Sequence, residues 1–111
     1  MIYIAGSFTG NNAWEIENNV RAAEEYLLLL MKKKILAYCP HTHFRFFHGS
    51  VDEHFIMEHC FFMLSHCSAI FVLPGSSDSS GTAKEIMYAQ DHGIPVYDTL
   101  CDLMAKENKE K

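Results

Sequence analysis

The sequence predicts an α/β fold: a flavodoxin-like (Rossmann-like) three-layer arrangement with a parallel sheet of four to five strands. Two observations lead to this prediction. Short apolar segments alternate with helical patterns four times along the 111 residues, and the connections between them are short. The apolar segment at residues 69–73 also lacks polar alternation, which is typical of a parallel strand buried on both faces.

Length, composition and charge favour one domain that acts on a small molecule. With 49% hydrophobic residues among 111, the chain can bury one core. The net charge is −5 and the basic residues are scattered, so we expect neither a nucleic acid nor a membrane as partner. No signal peptide or bilayer-length apolar run is present, so a cytoplasmic location is expected. Residues 1–105 are predicted to form the domain and residues 106–111 a solvated tail.

The first βα unit is predicted at the beginning of the sequence. Residues 1–5 form an apolar strand, a glycine-containing loop follows, and a helix begins near Ala13. Gly6 and Gly10 would allow the backbone to approach a ligand closely, although an ordinary βα turn explains the same residues. The spacing is not GxGxxG, so the dinucleotide-binding fingerprint is absent.

The second strand is predicted at residues 35–40 and leads into a loop at 41–51 that is rich in aromatic residues. Arg45 lies among three phenylalanines in this loop. Loops that follow the carboxyl ends of parallel strands lie on the ligand side of the sheet, so we expect this loop to fold over a ligand. Residues 50–53 then match a capping box for a helix that runs to about His66.

The histidine and cysteine patterns predict neither a metal site nor a cofactor. His41, His43 and His48 raise the question of a metal, but no cysteine or carboxylate completes a ligand set at a suitable spacing. The four cysteines also fit no zinc pattern, and in the cytosol they are expected to be free thiols. They are Cys39, Cys60, Cys67 and Cys101.

The central unit, at residues 69–93, gives the strongest local indication of a ligand site. Its strand ends at a loop of serine and glycine residues, and a helix follows. The first amides of such a helix are unpaired, and they favour an anion or a sugar hydroxyl. Glu85 lies one turn further in, where its carboxylate can face the same crevice. A capping box at residues 82–85, in which Glu85 caps its own helix, is the alternative interpretation.

The last βα unit and the order of the elements complete the fold prediction. Residues 94–97 form a short strand, and Thr99 caps a final helix that runs to about Lys106. In an open parallel sheet, ligands bind beyond the carboxyl ends of the strands. The two glycine- and serine-containing loops and the loop with Arg45 are therefore expected to converge on one site.

Two of these segments resemble motifs of the nucleoside 2-deoxyribosyltransferase-like superfamily. The opening is similar at Tyr3-Ile4-Ala5-Gly6-Ser7-Phe8-Thr9-Gly10, and the S-x-G-x-x-x-E signature is similar at Ser79-Ser80-Gly81-Thr82-Ala83-Lys84-Glu85 with Tyr88-Ala89. Small members, often from phages or prophages, share stretches similar to Cys39-Pro40-His41-Thr42 and Arg45-Phe46-Phe47. The similarity covers nearly the whole sequence in order, and the superfamily includes deoxynucleoside 5′-monophosphate N-glycosidases.

The resemblance implies cleavage or transfer of the N-glycosidic bond of a 2′-deoxynucleoside or its 5′-monophosphate. Glu85 falls on the catalytic glutamate, which forms a covalent glycosyl-enzyme intermediate that water or a second base resolves. Tyr3 falls on the tyrosine that helps to hold this glutamate. Gly6, Ser7, Ser79 and Gly81 fall where the monophosphate-hydrolysing members bind the 5′-phosphate. The full set expected to bind substrate is Gly6, Ser7, Phe8, Gly10, Arg45, Ser79, Ser80 and Gly81.

Cys60 departs from the superfamily pattern. Superfamily members usually carry an aspartate at this position, which binds or protonates the departing base or orients the sugar, and a second common aspartate is replaced by Ser68. A slip of one residue in the helix would bring Glu58 or His59 into the site instead. Because a thiol is a poor proton donor, a nucleotide-binding protein that senses or sequesters its ligand with little or no turnover is the alternative function.

The expected partners are a small nucleoside or nucleotide and further copies of the same chain. The resemblance implies a homodimer or a higher homo-oligomer. Phe55, Phe61 and Phe62 are also distributed around one predicted helix, and a single core cannot easily accommodate all three directions. A surplus apolar face of this kind is typical of an interface.

Overall fold

The computed structural model describes the backbone of residues 1–47, 49–76 and 79–110, and the side chains of the same residues up to Glu107. His48, one of the three histidines considered above as metal ligands, lies outside the described residues. So do Ser77 and Asp78 of the serine-containing loop and Lys111 of the predicted tail.

Four strands and five helices alternate along the described residues. The strands are β1 (Ile2–Ala5), β2 (Ala37–Tyr38), β3 (Ala69–Val72) and β4 (Val96–Tyr97). The helices are α1 (Ala13–Lys32), α2 (Pro40–His43), α3 (Glu53–Ser65), α4 (Ser80–Asp91) and α5 (Leu100–Glu110). All strand pairs are parallel, in the order β2-β1-β3-β4. The predicted flavodoxin-like α/β fold is confirmed.

Different helices cover the two faces of the sheet, because successive strand side chains point to opposite faces. Ile2 and Ile4 of β1 join a core with α1 and α5. Tyr3 and Ala5 point the other way, into a core with α3 and α4. Every residue of β1 and β3 is buried, as expected for central strands between two helical layers.

The segment after β2 differs from the predicted loop because it contains the short helix α2. Pro40 occupies the beginning of this helix, where its missing N–H costs nothing. The capping box predicted at residues 50–53 is wrong, since Asp52 is the N-cap of α3 and its carboxylate accepts a hydrogen bond from the backbone N–H of His54 at 3.3 Å. Helix α3 ends at Ser65, within one residue of the predicted end.

The last helix is longer than predicted. Thr99 accepts a hydrogen bond from the backbone N–H of Asp102 at 3.2 Å, so its capping role is confirmed. Helix α5 then continues to Glu110, through most of the segment that was predicted to be a tail. Lys106 donates a hydrogen bond to the carbonyl of Ser68 at 3.1 Å, which fastens this helix beside the beginning of β3.

The strand order reverses between β1 and β3, and this reversal determines where a ligand can bind. The chain passes from β1 to β2 on one side, whereas β3 pairs with β1 on the other side. A crevice opens beyond the carboxyl ends of two strands at such a switch point. Within the described residues, none of the helices combines the length and the apolar character that a membrane span requires.

Candidate active site

A cavity of about 440 Å³ lies at this switch point, on the α3–α4 side of the sheet. Its volume falls within the range of small-molecule sites, roughly 300–1,000 Å³. Four segments line it: the loop after β1, helix α2 with its following residues, the first turns of α3 and the beginning of α4. The predicted site residues in the lining are Gly6, Phe8, Cys60, Ser79, Ser80, Gly81 and Glu85.

Glu85 lines this cavity and forms a buried pair with Tyr3, which is not itself a lining residue. The Tyr3 hydroxyl donates a hydrogen bond to Oε2 of Glu85. Tyr3 has no exposed surface and Glu85 is 7% exposed. Helix α4 is capped by Ser79, whose side chain accepts from the backbone N–H of Thr82. The alternative capping box at residues 82–85 is therefore wrong, and the Glu85 carboxylate is available to the cavity.

Burial sets the protonation of this pair. Desolvation raises the pKa of Glu85 from 4.5 to about 7, although the hydrogen bond from Tyr3 opposes the shift. Desolvation raises the pKa of Tyr3 well above its usual value, and the nearby charge of Glu85 adds a smaller contribution in the same direction. The tyrosine therefore keeps its proton as a donor, and the carboxyl changes its charge near neutral pH.

Cys60 lines the cavity beside this pair as a protonated thiol. Desolvation raises its pKa from 9.0 to about 11, against a lowering contribution from the Tyr3 hydroxyl. Neither neighbour of Cys60 in α3 takes its place. Glu58 is exposed, and Oε1 of its carboxylate lies 3.1 Å from Nε2 of His54. The ring of His59 packs on the ring of Phe44, with 5.1 Å between centroids.

The beginning of α4 places polar groups in the cavity lining, close in sequence to Glu85. The first amides of a helix have no partner within the helix. Thr82 is 1% exposed and lines the cavity, and its Oγ1 has no hydrogen-bond partner among the described residues. A buried hydroxyl without a partner is costly, so its place beside open helix amides favours an oxygen-rich ligand. Gly81 adds no side chain to this part of the lining, where a Cβ atom would lie 3.5 Å from Cε of Met57.

Gly6 lets the loop after β1 pass close to β3. A Cβ atom at Gly6 would clash with the side chain of Leu73. The loop is held by Nε2–H of His41, which donates to the carbonyl of Ser7 at 3.0 Å. The backbone N–H of Ser7 in turn donates to Oγ of Ser76 at 3.1 Å.

Two predicted binding residues of this loop lie outside the cavity lining. Ser7 borders a separate hollow of about 300 Å³ on the α1 side. Gly10 lies against the first turn of α1, where a Cβ atom would come within 2.6 Å of Cβ of Glu15. The N-cap of α1, rather than a ligand, explains its lack of a side chain. A role for either residue in binding substrate stays a prediction.

Arg45 also lies away from the cavity. Its Nη1 donates to Oε1 of Glu24 at 2.7 Å, and its Nη2 pairs with the carboxylate of Glu17. Both carboxylates belong to α1, so the guanidinium braces the segment after α2 against that helix. A charge already shared between two carboxylates is poorly suited to bind a substrate, and the substrate-binding role predicted for Arg45 gains no support from its position.

Comparison with known protein families assigns the chain. A family described as Domain of unknown function (DUF7768) matches residues 1–99.

The chain belongs to the DUF7768 family.

The match spans β1 to the N-cap of α5, so it includes every residue that lines the cavity. A search among curated proteins finds no match. Because the family description names no activity, the chemistry of this DUF7768 domain has to be argued from its own side chains.

His41 is a cavity residue of this DUF7768 domain whose role the sequence did not reveal. It is buried, lines the cavity and holds the loop after β1 through Ser7. Burial lowers its pKa, so the ring is neutral. Its Nδ1 lies 3.9 Å from Sγ of Cys39. The sequence placed His41 in a stretch that resembles the superfamily and raised a metal there without predicting one; among the described residues, no group of three possible ligands suits a metal.

The DUF7768 cavity thus combines a nucleophile candidate with a site for oxygen atoms. Glu85 is buried, oriented by Tyr3 and ionisable near neutral pH. A carboxylate in this state can attack an electrophilic carbon or remove a proton. The serine, glycine and threonine groups at the start of α4 can bind hydroxyl or phosphate oxygens nearby.

Proposed function

We propose that this protein cleaves or transfers the N-glycosidic bond of a 2′-deoxynucleoside or its 5′-monophosphate. The observation that carries the proposal is the hydrogen bond from Tyr3 to Glu85, a residue of the cavity lining. It joins the two residues that the resemblance to the nucleoside 2-deoxyribosyltransferase-like superfamily assigns to catalysis. They are 82 residues apart in sequence, so their contact is not a consequence of local structure.

In the proposed reaction, the ionised carboxylate of Glu85 attacks C1′ of the sugar as the bond to the base breaks. The product is a glycosyl ester of Glu85, as in retaining glycosidases. Tyr3 fixes the orientation of the carboxylate through its hydroxyl. Water then attacks C1′ and releases the free sugar, or a second base takes the place of water and gives a new nucleoside.

The beginning of α4 supports the choice of ligand. Ser79, Ser80 and Gly81 line the cavity beside Thr82, and Lys84 adds a positive charge at its edge. Helix amides, hydroxyl groups and a lysine together suit a phosphate or the hydroxyl groups of a sugar. A cytoplasmic location is part of the proposal, since all four cysteines are unpaired and free thiols persist in a reducing compartment.

The test is release of free base from a panel of deoxynucleosides and their 5′-monophosphates, followed by chromatography. Glu85→Gln should keep the fold and nucleotide binding but lower base release by several orders of magnitude, each factor of ten being about 1.4 kcal/mol of barrier. Glu25→Gln is the matched control, because the same change is made on an exposed part of α1 away from the cavity. Adding a second base distinguishes transfer from hydrolysis. Base release that survives Glu85→Gln would exclude the covalent mechanism.

A nucleotide-binding protein with little or no turnover is the second candidate function. The observation in its favour is Cys60, whose raised pKa of about 11 makes it a weak acid beside the proposed nucleophile. Tight binding of a deoxynucleotide without release of base, measured by calorimetry and chromatography on the same sample, would support this candidate over the enzyme.

A further inference from the structure

The departing base poses a problem of charge in the proposed reaction. As the bond between C1′ and the base nitrogen breaks, its electron pair goes to the nitrogen. A neutral base then leaves as an anion unless an acid donates a proton in the transition state. A base that already carries a positive charge leaves as a neutral molecule and needs no acid.

The inner groups of the cavity are poorly suited to supply that proton. Glu85 must be ionised to act as the nucleophile. The proton of Tyr3 is committed to the hydrogen bond with Glu85. Cys60 is the remaining inner group, and burial raises its pKa to about 11, which keeps its proton in place near neutral pH.

His41 is engaged through both ring nitrogens. Nε2–H donates to the carbonyl of Ser7 at 3.0 Å, so its proton points at the backbone. Nδ1 faces the thiol of Cys39 at 3.9 Å. Since burial also lowers the pKa of this ring, His41 holds no spare proton for a base.

The remaining titratable groups of the lining lie at the rim. Glu53 is exposed in the first turn of α3, seven residues and therefore about 10 Å along the helix axis from Cys60. Nε2 of His54 is 3.1 Å from the carboxylate of Glu58, which does not line the cavity. Lys84 is exposed on α4. A general acid must lie within hydrogen-bond reach of the leaving nitrogen, whereas these three side chains are exposed to solvent.

Other features of the lining suit a cationic ring. Phe8 and Phe44 supply aromatic surface, and a cation is attracted to the face of such a ring. Met57 adds a polarisable thioether. The described lining carries two carboxylates, those of Glu53 and Glu85, against one lysine, Lys84, so its net charge favours a positively charged base.

We infer that the cavity acts on 2′-deoxynucleoside 5′-monophosphates whose base is already positively charged, such as an N7-alkylated purine; this rests on the proposed function. Glu85 forms a bond to C1′, the bond from C1′ to N9 breaks, and its electron pair neutralises the charge of the purine. Water then attacks C1′, the ester bond to Glu85 breaks, and one proton passes to the solvent.

The experiment compares 2′-deoxy-7-methylguanosine 5′-monophosphate with dGMP as substrates of the purified protein. Free base is measured by chromatography, and release by Glu85→Gln is subtracted from every rate to remove spontaneous loss of the methylated base. The expected rate is higher for the methylated nucleotide by about 10²–10⁴-fold, the contribution that general acid catalysis usually makes.

Variants of Cys60 supply the control. Cys60→Asp places a carboxylic acid beside the leaving base, so the ratio of the two rates should fall. Cys60→Asn has a similar size and no acid, so the ratio should stay high. Thermal unfolding of both variants establishes that they fold.

Each outcome of the comparison discriminates between the proposals. Comparable release of base from the two nucleotides, lost in Glu85→Gln, would overturn the inference and leave the proposed function standing. Efficient release from dGMP that His54→Ala abolishes would also overturn it, by identifying a rim residue as the acid. No release above the Glu85→Gln background from either nucleotide would overturn the proposed function together with the inference.

Discussion

At the scale of single residues, the Tyr3–Glu85 pair links burial to the ionisation that the proposed chemistry needs. Desolvation raises the pKa of Glu85 to about 7, and the hydrogen bond from Tyr3 limits that rise. A carboxyl whose pKa is raised on folding binds more protons in the folded state than in the unfolded state. The contribution of Glu85 to stability therefore falls as pH increases from about 4.5 to about 7, by about 3 kcal/mol in total, and changes little above that range.

Tyr3→Phe tests this link. Without the hydroxyl, the pKa of Glu85 should rise further, so the increase of base release with pH should move to higher pH and the rate at pH 7 should fall. The ring remains in place, so the loss of stability should be about 1–3 kcal/mol, as for a hydrogen bond whose acceptor stays buried. The measurement is the rate of base release from pH 5 to pH 9.

Tyr97→Phe is the control for this prediction, because Tyr97 lies on β4 and its ring faces Lys106 rather than the cavity. Its pH profile should match that of the wild type. A Tyr3→Phe profile that also matches the wild type would show that the hydroxyl does not tune Glu85.

The same scale shows what the sequence could not reveal about the site. Glu85 and Tyr3 were predicted from motifs, whereas the choice between a capping and a catalytic position for Glu85 depended on which serine or threonine caps α4. Ser79 and Thr82 are both good N-cap residues, so local pattern allowed either. Arg45 was assigned to substrate because its partners on α1, Glu17 and Glu24, have no sequence signal that connects them with it.

At the scale of elements, the beginning of α4 contains a hydroxyl that the fold itself does not use. Oγ1 of Thr82 is buried and has no partner among the described residues. Thr82→Val replaces this hydroxyl with a methyl group of the same size. Stability should stay constant or rise by about 1 kcal/mol, because no protein hydrogen bond is lost. Binding of a deoxynucleoside 5′-monophosphate, measured by calorimetry, should weaken several-fold if the hydroxyl serves the ligand.

Thr42→Val is the matched variant for this element. Thr42 Oγ1 donates to Glu24 at 2.9 Å on the exposed side of α2, away from the cavity. This change should leave nucleotide binding as it is in the wild type. If Thr82→Val instead lowers stability and leaves binding unchanged, the hydroxyl group of Thr82 has a structural partner. The beginning of α4 is then not a ligand site.

How well each strand or helix could be predicted from the sequence depends on its burial and its length. β1 and β3 are buried on both faces, so their sequences are continuous apolar runs that identify them without alternatives. β2 is an edge strand of two residues, and the predicted boundaries at 35–40 were too wide. α2 has four residues, which is too short for a helical period to be recognised, and it was predicted as loop.

At the scale of the whole molecule, α3 has an apolar side that the described residues leave exposed. Of the three phenylalanines predicted to form an interface, Phe61 stacks on Tyr88 of α4 with 5.0 Å between ring centroids. Phe55 and Phe62 remain 54% and 63% exposed. They are seven residues apart and therefore lie on the same side of α3, about 10 Å apart along its axis.

We expect this stripe of Phe55 and Phe62 to bury itself against a second copy of the chain, because large exposed apolar side chains in one row are typical of interfaces. The wild type should be a dimer or larger by light scattering at micromolar concentration, and Phe62→Glu should shift it toward the monomer without loss of helical content. Leu36→Glu is the control, since Leu36 is even more exposed, at 76%, but lies beside β2, outside the stripe. A wild type that stays monomeric at every concentration tested would contradict this expectation, and a dimer that Leu36→Glu breaks while Phe62→Glu does not would place the interface elsewhere.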